Sequence, residues 1–176
     1  SGAIKLDNMV WPDTENVLSH AHAITAHPNF ELVGIIDSNT DKMYNAINKW
    51  KCSGYKDIDA VVRYELDVDL VVVAVPPETH CAIIKETIKK IKPSIIVCEK
   101  PFCNSFSEAQ EIVNLCSRKS IKLYINYNRR YCKLFDFCKK IKKGQYGKPI
   151  SCTVHYTRGF KRDACHAVDL LNLMFG

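Results

Sequence analysis

Three strongly apolar segments dominate the middle of the chain. They cover residues 69–75, 94–98 and 121–126, and each ends abruptly at a polar or proline-containing turn. After a polar first residue, the first two are apolar at every position. Runs that are apolar at every position are typical of parallel strands covered on both faces. The segments between them, 78–91 and 106–118, carry apolar residues at helical spacing. The pattern therefore predicts alternating strands and helices.

The same alternation extends toward the amino terminus. The periodicity predicts a helix over 17–27, a strand over 31–36, a helix over 40–50, a weaker strand near 54–56 and a short helix over 58–65. Repeated β-α-β units favour a doubly wound α/β fold, in which helices cover both faces of a parallel sheet.

The pattern changes after Tyr131. A lysine-rich helix to about residue 143 precedes an alternating strand over 150–157 and an apolar helix over 164–175. We interpret residues 129–176 as the beginning of a second, α+β domain, and residues 1–128 as the doubly wound domain.

Lys100 follows one of the buried strands after only one intervening residue. An ammonium group is costly to bury, so a lysine at the end of a core strand indicates contact with a ligand or a proton-transfer role. A lysine that extends from the strand end to water explains the same pattern. The position alone does not decide between them.

Composition narrows the classes of function. The 176 residues carry a net charge of +6, and 47% of them are apolar. The excess lysines lie on helical segments without an aromatic-basic motif, which argues against nucleic-acid binding. No apolar run is long enough for a membrane span, and no leader pattern opens the chain, so the expectation is a cytoplasmic protein without membrane contact.

The nine cysteines form no C-x-x-C pair. This spacing gives no zinc or dithiol signature, so most of them are expected to be buried apolar side chains in a reducing compartment. His20, His22 and His27 are also poorly spaced for a metal site, because helical neighbours two residues apart point in different directions. We predict no metal centre.

The best cofactor signal is Asp37, at the end of the second predicted strand. A carboxylate there binds the ribose hydroxyls of a dinucleotide and repels a 2′-phosphate, which favours NAD over NADP. A helix cap or turn is the competing role for such an aspartate. The glycine-rich turn is incomplete, since Gly2 fits its second glycine and Lys5 stands in place of the third. Residues 7–16 would then be an insertion before the helix.

Five segments in order resemble the glucose-fructose oxidoreductase and inositol dehydrogenase (Gfo/Idh/MocA) family of NAD(P)-dependent sugar oxidoreductases. The segments are Glu31-Leu-Val-Gly-Ile-Ile-Asp37, Ala74-Val-Pro-Pro-Glu-Thr-His80, Glu99-Lys-Pro101, Asn126-Tyr-Asn-Arg-Arg130, and Gly159 through His166 to Asp169. The resemblance implies a Rossmann domain that binds the cofactor and a second domain that covers the substrate and forms homo-oligomer contacts. It also implies that the first strand and most of the second domain lie outside these residues.

The resemblance implies roles for particular residues. Lys100 would contact the reacting hydroxyl, and His166 would relay its proton. A cis bond between Lys100 and Pro101 is also expected, because proline permits it. The residues implied to bind the cofactor are Gly2, Ile4, Asp37, Ser38, Pro76, Pro77, His80, Glu99, Lys100 and Asn128. His20 is expected near the cofactor phosphates.

The substrate would be a sugar or sugar derivative. Asp169 would bind it or orient His166, and Asp163, Arg162 and Arg158 are further candidates for substrate binding. Relatives often carry an aspartate where this chain has Arg162. The basic residues would meet an anionic or nucleotide-linked sugar, or they are surface charges on a loop. The departure also leaves open a catalytically silent, NAD-binding homologue or scaffold.

Overall fold

A computed structural model describes residues 17–148, 150–157, 159–160 and 164–175, with the side chain of Leu134 excepted. Helices and strands alternate along this part of the chain. In order they are α1 (His20–Ala26), β1 (Gly34–Ile36), α2 (Thr40–Trp50), β2 (Ser53–Tyr55), α3 (Ile58–Arg63), β3 (Leu70–Val73), α4 (His80–Lys90), β4 (Ile95–Cys98), α5 (Phe106–Arg118), β5 (Lys122–Ile125), α6 (Lys133–Lys142) and α7 (Cys165–Phe175). Short 3₁₀ turns at Pro77–Thr79 and Asn128–Tyr131 precede α4 and α6.

All strand pairs in the described residues are parallel. β1 pairs with β2, and a second sheet has the order β3-β4-β5. The strands are joined by helical crossovers, so the predicted doubly wound α/β class is confirmed. The expected continuous sheet is divided, because no strand in the described residues stands between β1 and β3.

The larger core lies between the three-stranded sheet and the helices α4 and α5. Ile84, Ile96 and Ile112 are completely buried there, one from each of these layers. Burial of each such side chain contributes about 1.5–3 kcal/mol by removal of apolar surface from water. β4 lies in the centre of this sheet, which gives the residues that follow it a rigid base.

A smaller core forms around β2. Tyr55, Ala60 and Val61 are buried together, and Leu66, Val68 and Ile91 pack against them. Gly34 in β1 lies directly beside this cluster, since a Cβ atom built there would be 2.5 Å from the Tyr55 ring. The glycine permits the close approach of β1 to β2.

The segment after β5 departs from the predicted pattern in one place. Residues 150–157 form no strand, although their apolar and polar residues alternate. Ile150 is fully exposed and Tyr156 is half exposed. An alternating strand is stable only when a neighbour binds its backbone and covers its apolar face, and no described segment does so. α6 and α7, by contrast, are both present and pack against each other.

None of the helices in the described residues combines the length and the apolar character needed to cross a bilayer.

Candidate active site

Lys100 lies at the carboxyl edge of the sheet, beyond its central strand. Val73, Cys98 and Ile125 are in register across the three strands, so β3, β4 and β5 end together. The backbone N–H of Glu99 donates to the carbonyl of Val73 at 2.9 Å, which fixes the chain as it leaves β4. The bond from Lys100 to Pro101 is cis, as predicted.

The carboxylate of Glu99 joins three parts of the chain. It accepts hydrogen bonds from His20 Nε2 at 2.8 Å, from Asn126 Nδ2 at 2.7 Å and from the backbone N–H of Lys100 at 3.2 Å. Burial raises the pKa of this carboxyl, but the hydrogen bonds from His20 and Asn126 and the charge of His20 outweigh burial and lower the pKa to about 2. Glu99 is therefore an anion over the whole neutral range.

The side chain of His80 contacts the backbone of the same turn. Its Nδ1 lies 3.1 Å from the carbonyl oxygens of Pro101 and Phe102, and its Nε2 lies 2.9 Å from that of Val75. The side chain is completely buried. Both ring nitrogens face backbone carbonyls inside the protein, so the side chain shapes this turn, and a contact between His80 and the cofactor stays a prediction.

Other predicted cofactor residues lie on three loops. Asp37 follows β1, and its Oδ1 accepts a hydrogen bond from the Asn39 N–H at 2.8 Å. Ser38 and Pro76 are exposed, and Pro77 is half-buried. Asn128 is exposed at the start of the second 3₁₀ turn, after β5. Gly2 and Ile4 lie outside the described residues.

His166 lies in the first turn of α7 and is only 8% exposed. Its ring meets that of Tyr127 edge to face, with the centroids 6.0 Å apart. Burial raises the pKa of Tyr127, and electrostatic interactions with Cys165 and Asp169 raise it further against the opposing effect of Arg130. The phenol is therefore a neutral neighbour for the imidazole at physiological pH.

Asp169 follows His166 on α7 and is bound by Arg130. Arg130 Nε donates to Asp169 Oδ2 at 2.7 Å, and Arg130 Nη2 donates to Oδ1. The aspartate side chain is 8% exposed and that of the arginine 42%. Both carboxylate oxygens of Asp169 bind Arg130, which connects α7 to the turn after β5. Asp169 also lines the cavity described below, so its role in binding substrate or orienting His166 stays a prediction. Arg158, Arg162 and Asp163 lie outside the described residues.

A cavity of about 410 Å³ lies where these elements meet. One side is formed by Pro101, Cys103 and Asn104, from the loop that Lys100 begins, and the other by Tyr127, Asp169 and Asn172. A second cavity, of about 450 Å³, lies on α5 and β5 and has almost only apolar side chains around it. The first cavity is the one that offers carboxylate, phenol and amide groups, so it is the candidate active site.

Sequence reasoning missed three of these relationships. It placed His20 near phosphates and not on Glu99, and it quoted Asn126 and Arg130 only as parts of a motif. These contacts could have been anticipated from the position of the Asn126–Arg130 segment, because it directly follows β5, the strand that pairs with β4. Side chains after neighbouring parallel strands meet at one edge of the sheet.

Comparison with known proteins agrees with this geometry. A family model described as "Oxidoreductase family, NAD-binding Rossmann fold" matches residues 17–127. An uncharacterized oxidoreductase of Schizosaccharomyces pombe is 35% identical over 105 residues, which are 59% of this chain and 28% of that protein. Glucose-6-phosphate 3-dehydrogenase of Bacillus subtilis is 25% identical over 141 residues, which are 80% of this chain and 39% of that enzyme.

The fold has a close counterpart in a solved structure. The WlbA dehydrogenase from Bordetella pertussis, in complex with NADH and UDP-GlcNAcA, superposes with a TM-score of 0.78 at 22% identity. The match covers 89% of this chain and 55% of that one. The chain thus has an NAD-binding Rossmann fold, and it belongs to the Gfo/Idh/MocA family of oxidoreductases. It spans well under half the length of the two curated relatives.

The position of Asp37 fits the binding of NAD. Asp37 is held at the end of β1 by the hydrogen bond from its own N–H to the carbonyl of Tyr55, at 3.1 Å, and its carboxylate is partly exposed. An acidic side chain at this place in a Rossmann fold accepts hydrogen bonds from the adenosine ribose.

Proposed function

We propose that the chain is the cofactor-binding part, with the start of the substrate-binding part, of an NAD-dependent dehydrogenase that acts on a CH–OH group of a sugar or sugar derivative. The observation that carries this proposal is the cavity beside Lys100. The turn that follows the lysine and the helix that carries His166 both contribute to it. Lys100 precedes Pro101 and His166 follows Cys165, and both of these neighbours line the cavity, which supports a joint role for the two residues.

Each residue has a distinct task in this proposal. Oxidation of an alcohol removes a proton from oxygen and a hydride from carbon, and bound NAD supplies the hydride acceptor. The ammonium group of Lys100 stabilises the negative charge that develops on the substrate oxygen. His166 accepts the proton of the hydroxyl, since an imidazole exchanges protons near neutral pH.

Neighbouring residues position these two. Glu99 binds the backbone N–H of Lys100 and stays ionised, so the cis turn is anchored to His20 and Asn126. Arg130 holds Asp169, and through it the first turns of α7 where His166 lies. Neither pair needs to touch the substrate in order to affect its oxidation.

The side chains around the cavity also bear on the size and charge of the proposed substrate. The described side chains around the cavity are mostly uncharged, which suits a polyol or a sugar ring. Arg158 and Arg162 precede α7 and would add affinity for a phosphate or carboxylate if they face the cavity. A cytoplasmic, homo-oligomeric enzyme remains the expectation for the whole protein.

The test is turnover by the full-length protein that contains this chain. Reduction of NAD is followed by NADH fluorescence while sugars, sugar phosphates and nucleotide sugars are added. Lys100→Met and His166→Ala should each lower kcat at least 100-fold and leave NAD binding within a few-fold. Lys89→Met and His155→Ala, at exposed positions, are the matched controls and should have no effect.

Two results would contradict the proposal. Turnover that survives both active-site substitutions would exclude the assigned roles. Tight NAD binding without turnover of any substrate would favour the catalytically silent homologue, which the unusual Lys5 and Arg162 also motivate.

A further inference from the structure

Two cysteine thiols lie side by side next to the Lys100 turn. Cys81 Sγ is 2.9 Å from Cys103 Sγ. Cys81 lies in the first turn of α4, and Cys103 lies in the loop that follows Pro101. Both are half-buried, and neither has a part in the proposed oxidation of the substrate.

The separation of the two sulfurs is set by well-packed surroundings. His80, the residue before Cys81, lies against the carbonyl groups of Pro101 and Phe102, the two residues before Cys103. The backbone on both sides of the pair is therefore joined by a completely buried side chain. A disulfide bond is ~2.05 Å long, so the sulfurs need to approach by less than about 1 Å to form it.

We propose that Cys81 and Cys103 are a reversible disulfide site, oxidised by exchange with a low-molecular-weight disulfide such as glutathione disulfide. Cys103 lines the cavity beside Lys100, so a small molecule can reach it from solvent. Cys81 is the resolving thiol, because its sulfur is already in contact with that of Cys103.

The exchange balances in two steps. The thiolate of Cys103, formed by loss of its proton to water, attacks one sulfur of glutathione disulfide and releases one glutathione thiolate. Cys81 loses its proton in turn, attacks the Cys103 sulfur of the mixed disulfide, and releases the second glutathione. The protein loses two electrons and two protons, and glutathione disulfide becomes two glutathione thiols.

The surroundings of the Cys103 thiol make this exchange slow. Burial raises the pKa of the Cys103 thiol, and its hydrogen bond with Cys81 raises it further. Little thiolate is present at neutral pH, so the first step takes place over hours and depends on sustained oxidising conditions.

The bond would change the edge of the sheet that carries the active site. It would join the loop after β4 to the start of α4, which follows β3, and close a loop that contains Lys100. A cross-link of this length lowers the entropy of the unfolded chain. We expect the melting temperature of the oxidised form to rise by on the order of 5–10 °C.

The test begins with the reduced full-length protein, incubated with glutathione disulfide, then alkylated and digested with trypsin. Trypsin leaves Cys81 within 64–85 and Cys103 within 91–118, since it does not cleave before proline. Tandem mass spectrometry should find these peptides linked through Cys81 and Cys103. Thiol titration should show a loss of two thiols that dithiothreitol restores.

Variants separate this pair from the other thiols. Cys81→Ser and Cys103→Ser should each abolish the cross-link and the rise in melting temperature. Cys165→Ser is the matched control, because Cys165 lines the same cavity, and it should retain both. If a variant does not fold, the peptide map of the oxidised wild-type protein still shows whether Cys81 and Cys103 are linked.

Three outcomes would overturn the proposal. The first is an unchanged number of thiols after prolonged incubation. The second is a stable glutathione adduct on Cys103 that Cys81 does not resolve. The third is a cross-link of Cys103 to Cys98 or to Cys165 in place of Cys81.

Discussion

Glu99 and His20 are 79 positions apart in the sequence, and the carboxylate of Glu99 accepts a hydrogen bond from the imidazole of His20 at 2.8 Å. The contact ties the start of α1 to the end of β4, and Asn126 ties the same carboxylate to the end of β5. One ionised side chain thus connects three elements around the Lys100 turn.

This network predicts a pH-dependent contribution to stability. The pKa of Glu99 is lowered from its ordinary value of 4.5 to about 2 in the folded protein. A lowered pKa stabilises the fold above the unfolded-state value, and the contribution disappears as the pH falls from about 4.5 to about 2. Glu99→Gln should therefore reduce the free energy of unfolding at pH 7 by on the order of 2 kcal/mol.

Urea unfolding of the wild type and of Glu99→Gln across this pH range checks the prediction. The difference between them should be constant from pH 7 to about pH 5 and should shrink steadily below that. Glu31→Gln, at an exposed position before β1, serves as the control. A difference that stays constant down to pH 2 would show that ionisation of Glu99 is not its source.

The ion pair of Arg130 and Asp169 leads to a second prediction. Asp169 is almost completely buried, so removal of its partner leaves an uncompensated charge inside the protein. Arg130→Ala should lower the free energy of unfolding by about 2–4 kcal/mol. Arg129→Ala, at the exposed neighbouring position, should change it by less than about 0.5 kcal/mol.

Chemical denaturation of both variants measures these values. Hydrogen exchange then locates the effect, because loss of the pair should increase exchange in α7 more than in β3 to β5. Equal stability of the Arg130 and Arg129 variants would show that the pair contributes no net free energy.

Much of the fold could be predicted from local pattern. The apolar runs of β3 and β4 are continuous, which is typical of parallel strands, and β5 follows at the spacing of one more crossover helix although it begins with Lys122. The strand predicted over 150–157 was wrong for an equally physical reason. Alternation shows that a strand would have an apolar face, but not that a partner is there to cover it.

Only the part of the site that lies directly after a strand could be predicted from the sequence. Lys100 was found because a buried strand stops just before it. Arg130 and Asp169 are 39 residues apart, and Cys81 and Cys103 are 22 apart. Contacts over such separations depend on how α7 and the loop after β4 pack, and no local periodicity encodes that.

Gly34 provides a third prediction, on the packing of the first sheet. A Cβ at this position would be 2.5 Å from the ring of Tyr55 and 3.2 Å from the carbonyl oxygen of Ser53. Tyr55 is buried, so its ring has little room to move. Gly34→Ala should lower the free energy of unfolding by about 1–3 kcal/mol.

The matched control is Gly54→Ala, in the neighbouring strand. A Cβ there would be 3.0–3.2 Å from the flexible side chains of Ile47 and Met43, which can adjust. Its cost should therefore be the smaller of the two in thermal or urea unfolding. The reverse order would show that the ring of Tyr55 moves more easily than the aliphatic side chains.

Asp37 provides the last prediction, which concerns cofactor choice. Its carboxylate lies at the end of β1, and its position is fixed by backbone hydrogen bonds to Tyr55 and from Asn39. A phosphate on the adenosine ribose would meet this negative charge, and the repulsion disfavours NADP. Asp37→Ser removes the charge and keeps a hydroxyl that can still accept the N–H of Asn39.

We therefore expect Asp37→Ser to raise the affinity for NADPH relative to NADH by about tenfold, which corresponds to about 1.4 kcal/mol. Fluorescence titration of both cofactors measures this ratio, and Asp41→Ser, in the first turn of α2, is the control. The effect should decrease at high salt, since the charge is partly exposed. A lower melting temperature with an unchanged ratio would instead assign Asp37 to the turn that it forms with Asn39, because a residue that only shapes the backbone cannot distinguish the two cofactors by charge.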